Sequence, residues 1–167
     1  TYQSAVIAAE NVAPDFPEHT IRVIDTLSAS RGQGLLVYLA AQKKKEGLTL
    51  NQLGDWVEDN KLHVCHWFTV DDLNFLKRGG RVSAATALVG TMLSIKPVMH
   101  TDNEGRLTMV GKARGRKASL KALLDAIERL AIEPEKQTMF ICHADCEEET
   151  KQVAALSLIH ISEPTRR

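Results

Sequence analysis

Residues 68–96 read FTVDDLNFLKRGGRVSAATALVGTMLSIK, and they restrict the fold more tightly than any other stretch of the chain. A short helical pattern, with Leu73 and Leu76 on its apolar side, is cut by Gly79-Gly80. Arg81 follows at once, and a second helical pattern begins after Ser83. Two helices separated by a glycine pair must turn there, because glycine is the residue that enters the left-handed region without steric cost. Thr69 is the expected cap of the first helix, with Asp72 at its third position. Gly79 is expected to stop that helix in a left-handed turn, and Ser83 to cap the helix over 84–94. Ala84, Ala87, Gly90 and Thr91 keep part of that second helix narrow. Narrowness serves close helix–sheet packing, or leaves a groove for a thin apolar ligand; the residues alone allow both.

The flanking sequence alternates strand-like and helix-like stretches, which is the pattern of an α/β chain. Residues 1–12 suit a helix ended by Pro14 and Pro17. Residues 20–25 (TIRVID) suit a buried strand, followed by a small polar loop, Gly32 and Gly34, and a helix over 35–45. Gly32-x-Gly34 lacks the third glycine of a dinucleotide fingerprint and reads as loop freedom. Thr49 with Gln52 three residues later forms a capping box for the next helix, and 63–68 then reads as a strand. Past Pro97, residues 95–101 are expected at a sheet edge, where a missing N–H is tolerated. The DNEG sequence at 102–105 marks a hairpin turn, with a returning strand over 106–113. A helix to Ala131, a buried strand over 137–142 (QTMFIC) and an acidic helix over 147–155 complete the reading. The change of pattern near residue 62 divides the chain into 1–62 and 63–155. Residues 156–166 (LSLIHISEPTR) look like the translated end of a sequencing adapter. The segment 156–167 is therefore expected to be a non-native tail and the rest an internal fragment.

Charge is balanced over the 167 residues, with 21 basic and 21 acidic side chains, so nothing draws the whole molecule to a polyanion. The distribution is uneven, since residues 63–117 hold 9 basic against 4 acidic side chains. A local positive excess favours an anionic ligand or an acidic partner, or is a solvated basic surface. Aromatics at 5% are too few for a base-stacking platform, and no nucleic-acid motif accompanies the basic cluster. Three cysteines, Cys65, Cys142 and Cys146, do not form a disulfide framework, which points to a reducing, cytoplasmic setting. No apolar run approaches the roughly 18–20 residues of a membrane span.

Candidate chemistry centres on Gly79, Gly80, Arg81 and Ser83. An arginine can grip a carboxylate or phosphate with two parallel hydrogen bonds, and unpaired N–H groups at a helix start add to the pull. The alternative is an arginine that caps carbonyls of the preceding helix. Lys112, Arg114 and Arg116 share alternate positions near a strand end, as a docking patch or as a charged, protected edge. His63, Cys65 and His66 with Cys142, His143 and Cys146 match no zinc-ligand spacing, so no metal site is expected. Neither a Gly-x-Ser-x-Gly elbow nor an ATP-binding phosphate loop occurs. Asp25 and Asp145 stand near strand ends without a base or metal to pair with. The residues leave a second function open: a phosphotransferase or hydrolase of small anions that stabilises charge with Arg81.

FTVDDLNFLKRGGRVS, the small-residue helix, IKPVM, the turn at Gly105 and KARGRK resemble the DegV family of bacterial fatty-acid-binding proteins. TYQSA at the start and IDTLSASRGQG resemble further segments of it, so the resemblance runs from Thr1 to about Ala155. It implies a two-domain α/β fold, here with an incomplete N-terminal domain, and a long-chain fatty acid held between the domains. It implies a carrier and not a catalyst, presenting the carboxylate to an ATP-binding fatty-acid kinase subunit for acyl-phosphate formation. Arg81, with Gly79, Gly80 and Ser83, is the implied carboxylate or phosphate contact. Phe68, Leu88, Met92 and Ile95 are the implied acyl lining. Arg114, with Lys112 and Arg116, is the implied kinase-docking surface. No cofactor, metal, nucleic acid or membrane span is implied, and membrane contact would be transient.

Overall fold

The computed structural model describes residues 1–83 and 94–162. Six α-helices are described: α1 (Tyr2–Val12), α2 (Ser30–Lys45), α3 (Leu50–Asn60), α4 (Leu73–Arg78), α5 (Arg116–Leu130) and α6 (Glu147–Ser162). Three strands, β1 (Trp67–Thr69), β2 (Ile95–Thr101) and β3 (Leu107–Arg114), form one antiparallel sheet in the order β1-β2-β3. The helix expected over 84–94 falls almost wholly outside the described residues, as do Leu88 and Met92.

The β2–β3 hairpin follows from its turn. The Asp102 carboxylate accepts the N–H groups of Glu104 (3.1 Å) and Arg106 (2.8 Å), and Gly105 sits at φ +76°. An Asx-type turn with glycine in the left-handed position fixes the register, and Thr101 pairs with Leu107. Pro97 lies on the central strand, which corrects the edge expectation. The local reason is that β1 ends at Thr69, opposite Val98, so among the described residues Pro97 has a ladder partner only on β3, Lys112. A bulge at Val98/Met99 lets the strand bend there.

Beneath this sheet sits a small core. Leu73 and Met99 are fully buried, with Phe68, Val70, Leu76, Val82, Leu107 and Met109 packed around them. Removing a side chain such as Met99 from water is worth about 1.5–3 kcal/mol. Helix α5 packs on the sheet through its helical-period face, burying Leu124, Ala126 and Ser119, and the Ser119 hydroxyl donates to the Arg116 carbonyl (2.8 Å).

The helical half is tied down differently. Thr49 and Gln52 form the expected capping box at the start of α3. Arg22 then lies across that helix, donating to the Asn51 carbonyl (2.9 Å) and the Asp55 carboxylate (2.7 Å). Gly54 permits this approach, because a Cβ there would stand 2.4 Å from the guanidinium.

Two expected strands do not form. Residues 20–25 and 137–142 run as irregular backbone, and the latter is exposed instead of buried, with Met139, Phe140 and Ile141 in contact with water. Apolar sequence gives a stretch strand character, but a strand exists only where a neighbour accepts and donates its backbone hydrogen bonds. Among the described residues neither segment has such a neighbour. The strand expected over 63–68 shifts to Trp67–Thr69, and His63 closes a single 3-10 turn instead. Helix α6 continues beyond Ala155 to Ser162.

Candidate functional site

Helix α4 begins and ends on identifiable caps. Asp72, and not Thr69, is its N-cap: the carboxylate accepts the Asn74 N–H at 2.8 Å. Thr69 closes β1 and sends its hydroxyl to the Pro97 carbonyl at 2.7 Å. At the other end Gly79 is right-handed (φ −76°), and Gly80 takes the left-handed position (φ +69°). The Gly80 N–H donates to the Lys77 carbonyl (2.9 Å) and the Arg81 N–H to the Leu76 carbonyl (2.8 Å). These two bonds make a Schellman cap. The second glycine is therefore the one whose backbone freedom is needed.

This cap decides what Arg81 can offer. Its backbone N–H is used by α4, and its guanidinium folds back so that one Nη donates to the Gly79 carbonyl. Carbonyl capping is thus realised. It engages only part of a planar fork with five donors, on an exposed side chain, so a second acceptor can still be bound. Val82, the next residue, packs against the Leu73/Met99 core together with Phe68. The structure therefore brings the Arg81 segment and Phe68 to the same apolar cluster. Phe68 is half-buried in that core. Ile95 is half-buried at the far end of β2, opposite Arg114, with Ser83 exposed at the edge of the described segment.

The basic triplet separates. Lys112 and Arg114 are exposed on one face of β3 with Val110, as strand alternation requires. Arg116 lies past the strand and is committed elsewhere. Its Nε donates to Glu149 (2.9 Å) and a terminal nitrogen stands 3.8 Å from Asp71, which also pairs with Lys96 (3.0 Å). Burial, the largest influence on Arg116, disfavours its charge, but the Glu149 hydrogen bond and the Glu149 and Asp71 charges outweigh it and raise the pKa above its ordinary value. Arg116 therefore clamps α5 to α6 and to the loop before α4, and is not part of an open patch.

Sequence reasoning missed a second junction. Gly32, read as a loop glycine, is buried in the first turn of α2. A Cβ there would lie 2.2 Å from Ser28 Oγ and 2.9 Å from His66 Nδ1. His66 shares a hydrogen bond with the Thr101 hydroxyl (3.2 Å), and burial lowers its pKa below the ordinary value. Ser28 Oγ is buried with no hydrogen-bond partner. The only sequence signal was the glycine itself, and nothing in the sequence identified its neighbours.

The remaining candidates are structural or open to solvent. The Asp25 carboxylate accepts the Leu27 N–H (3.1 Å), which is turn chemistry. Cys65 and Cys142 are exposed; Cys146 is half-buried, 3.8 Å from Arg116. Among the described residues no three His, Cys, Asp or Glu side chains are grouped to hold a metal ion. An open cleft of about 290 Å³ is lined by Arg31, Met139, Phe140 and Ile141. No described helix is long and apolar enough to cross a membrane.

Comparison with known proteins adds to this geometry. The family described as "Uncharacterised protein, DegV family" matches residues 1–164. The DegV domain-containing protein CPE0026 of Clostridium perfringens is 46% identical over 156 residues, covering 93% of this chain and 54% of its own length. The chain thus spans about half the length of the curated relatives it matches. A solved structure described as the fatty acid binding DegV family protein SAG1342 of Streptococcus agalactiae is 28% identical, with a TM-score of 0.76, covering 97% of this chain and 56% of that one. The Streptococcus pneumoniae Fatty Acid Kinase (Fak) B3 protein loaded with linoleic acid shares the fold, with a TM-score of 0.82 at 24% identity, covering 98% and 57%.

Proposed function

This chain belongs to the DegV family, and on that premise we propose that it is part of a cytoplasmic carrier of long-chain fatty acids. Arg81 contacts the carboxylate, with Gly79, Gly80 and Ser83 around it. Phe68, Leu88, Met92 and Ile95 line the acyl chain, which lies between two domains. The protein presents the carboxylate to a separate ATP-binding kinase and does not itself catalyse. The observation that carries the reading is the exposed Arg81 fork, pinned by its cap beside the apolar cluster that holds Phe68 and Val82. A fixed cation beside apolar surface matches an anionic head with an alkyl tail. Burial of that tail supplies affinity at about 0.8 kcal/mol per CH₂. The fatty-acid binding of the Streptococcus agalactiae relative supports the same reading.

Docking to the kinase uses Lys112 and Arg114. Arg116, one of the three side chains first grouped there, is engaged with Glu149 and leaves the patch. Lipid extraction and mass spectrometry of the full-length gene product carrying this sequence test the proposal. Stoichiometric fatty acid is expected. A protein that purifies empty and turns over a phosphorylated or ester substrate would instead establish the small-anion enzyme.

A further inference from the structure

The turn over residues 27–32 is held in an unusual way. Leu27 and Ser30 both have positive φ, +49° and +48°. Neither is glycine, and Leu is bulky, so each costs free energy that the surroundings must offset. Beside the Asp25 carboxylate that accepts the Leu27 N–H (3.1 Å), two close approaches seat the turn. Gly105 at the hairpin tip abuts the Leu27 backbone, where a Cβ would stand 3.2 Å from Leu27 Cα. Gly32, at the start of α2, abuts Ser28 Oγ and His66 Nδ1. His66 is in turn tied to β2, through the Thr101 hydroxyl (3.2 Å) and through its own carbonyl, which accepts the Thr101 N–H (3.0 Å). The helical half of the chain therefore meets the hairpin half through a strained turn seated on one histidine.

We propose that the 27–32 turn and the His66–Thr101 pair form an acid-sensitive latch between the helices α2–α3 and the β2–β3 hairpin. With the imidazole neutral, Nδ1 and the Thr101 hydroxyl share one hydrogen bond and Gly32 packs against the ring. A proton on the ring places a charge in a half-buried site at the N-terminal end of α2, where the helix dipole is positive. No charge is arranged to compensate it. Among the described residues His66 belongs to no ion pair. Among the described residues none of the charged and titratable groups on the elements around it, the exposed Cys65 and hairpin residues Glu104 and Arg106 included, pairs with the ring. Asp25 accepts the Leu27 N–H, and Asp102 accepts the N–H groups of its own turn. Arg31 lines the outer cleft, and His63 bonds Asn60. His100 and Arg129 lie against the Trp67 ring. The protonated ring relaxes by leaving the α2 terminus, and the strained turn, having lost its seat, opens. This inference does not depend on the fatty-acid reading.

Hydrogen exchange of the full-length gene product carrying this sequence, followed by mass spectrometry from pH 5 to 8 and corrected for intrinsic exchange rates, tests it. Protection of residues 25–33 is expected to fall about tenfold for each pH unit over which His66 takes up its proton. The loss should be absent in His66→Gln, which keeps a polar side chain but cannot charge. Gly32→Ala should weaken protection at every pH. Should a variant fail to fold, the wild-type exchange profile and the imidazole proton resonance of His66 still decide. A titration midpoint at or above the ordinary histidine value, or wild-type protection that is flat with pH, would overturn the latch. An unchanged pH profile in His66→Gln would do the same.

Discussion

Arg81 and Arg116 look alike in the sequence: each follows a glycine, each lies in the basic region, and each was a candidate contact for an anion. The structure gives them opposite surroundings. Arg81 is exposed and, among the described residues, its side chain has one neutral hydrogen-bond partner, the Gly79 carbonyl. Arg116 is half-buried and paired with two carboxylates on separate elements. The difference lies in what surrounds each cation. An arginine whose charge is already neutralised gains little from a new anion. One that has only a carbonyl partner retains most of its field and its donors for a ligand. Basic residues in a sequence therefore mark capacity, and the acidic residues that fold against them decide whether it stays available.

The sharpest way to break this comparison is to remove each arginine in the full-length gene product and measure both acyl retention and unfolding free energy. Arg81→Ala should weaken fatty-acid binding by about 10–100-fold, the worth of a charge-assisted hydrogen bond of about 1.5–3 kcal/mol. Its stability should change by no more than about 0.5 kcal/mol, as for an exposed side chain. Arg116→Ala should do the reverse, leaving binding within about twofold. If both variants bind alike, the assignments are wrong. Gly80→Val probes the frame and not the charge. A β-branched residue at φ +69° should cost about 1–2 kcal/mol in urea denaturation, and it should displace Arg81 from its cap. The same change at Gly79, which is right-handed, should cost less. A double-mutant cycle of Arg116→Gln with Glu149→Gln should give a smaller coupling of about 0.5–1 kcal/mol, because both side chains remain partly exposed and screened.

Local patterns were readable from the sequence wherever they were closed by nearby residues. The Asp102–Gly105 turn, the Thr49–Gln52 box and both strands of the hairpin stand within a residue or two of where the pattern put them. Features closed by distant residues were not readable. Residues 20–25 and 137–142 have strand composition but no neighbour to pair with among the described residues. Arg22 lies across Gly54, and Gly32 against His66, pairings 32 to 34 positions apart that no periodicity encodes. The glycine pair shows both cases at once. Its turn was legible, but which glycine was left-handed depended on the register of α4, which Asp72 sets three residues later than a cap at Thr69 would have.

The smallest expected effect concerns His66, the half-buried cation-to-be, in contrast with two arginines that are always charged. Its folded pKa lies below the ordinary 6.5 because burial disfavours the protonated ring. The unfolded chain therefore binds more protons than the folded one between the folded pKa and 6.5, so stability rises with pH across that window. The contribution is complete above pH 6.5, declines as pH falls below it, and levels off beneath the folded pKa. Subtracting the unfolding free energy of His66→Gln from that of the wild type at several pH values isolates the histidine from the carboxylates, which titrate lower. The difference should favour the wild type more at pH 7.5 than at pH 5.5. A difference that is constant, or that grows toward acid, would mean that the ring finds an acceptor when protonated. Its site would then resemble that of Arg116 more than an uncompensated pocket.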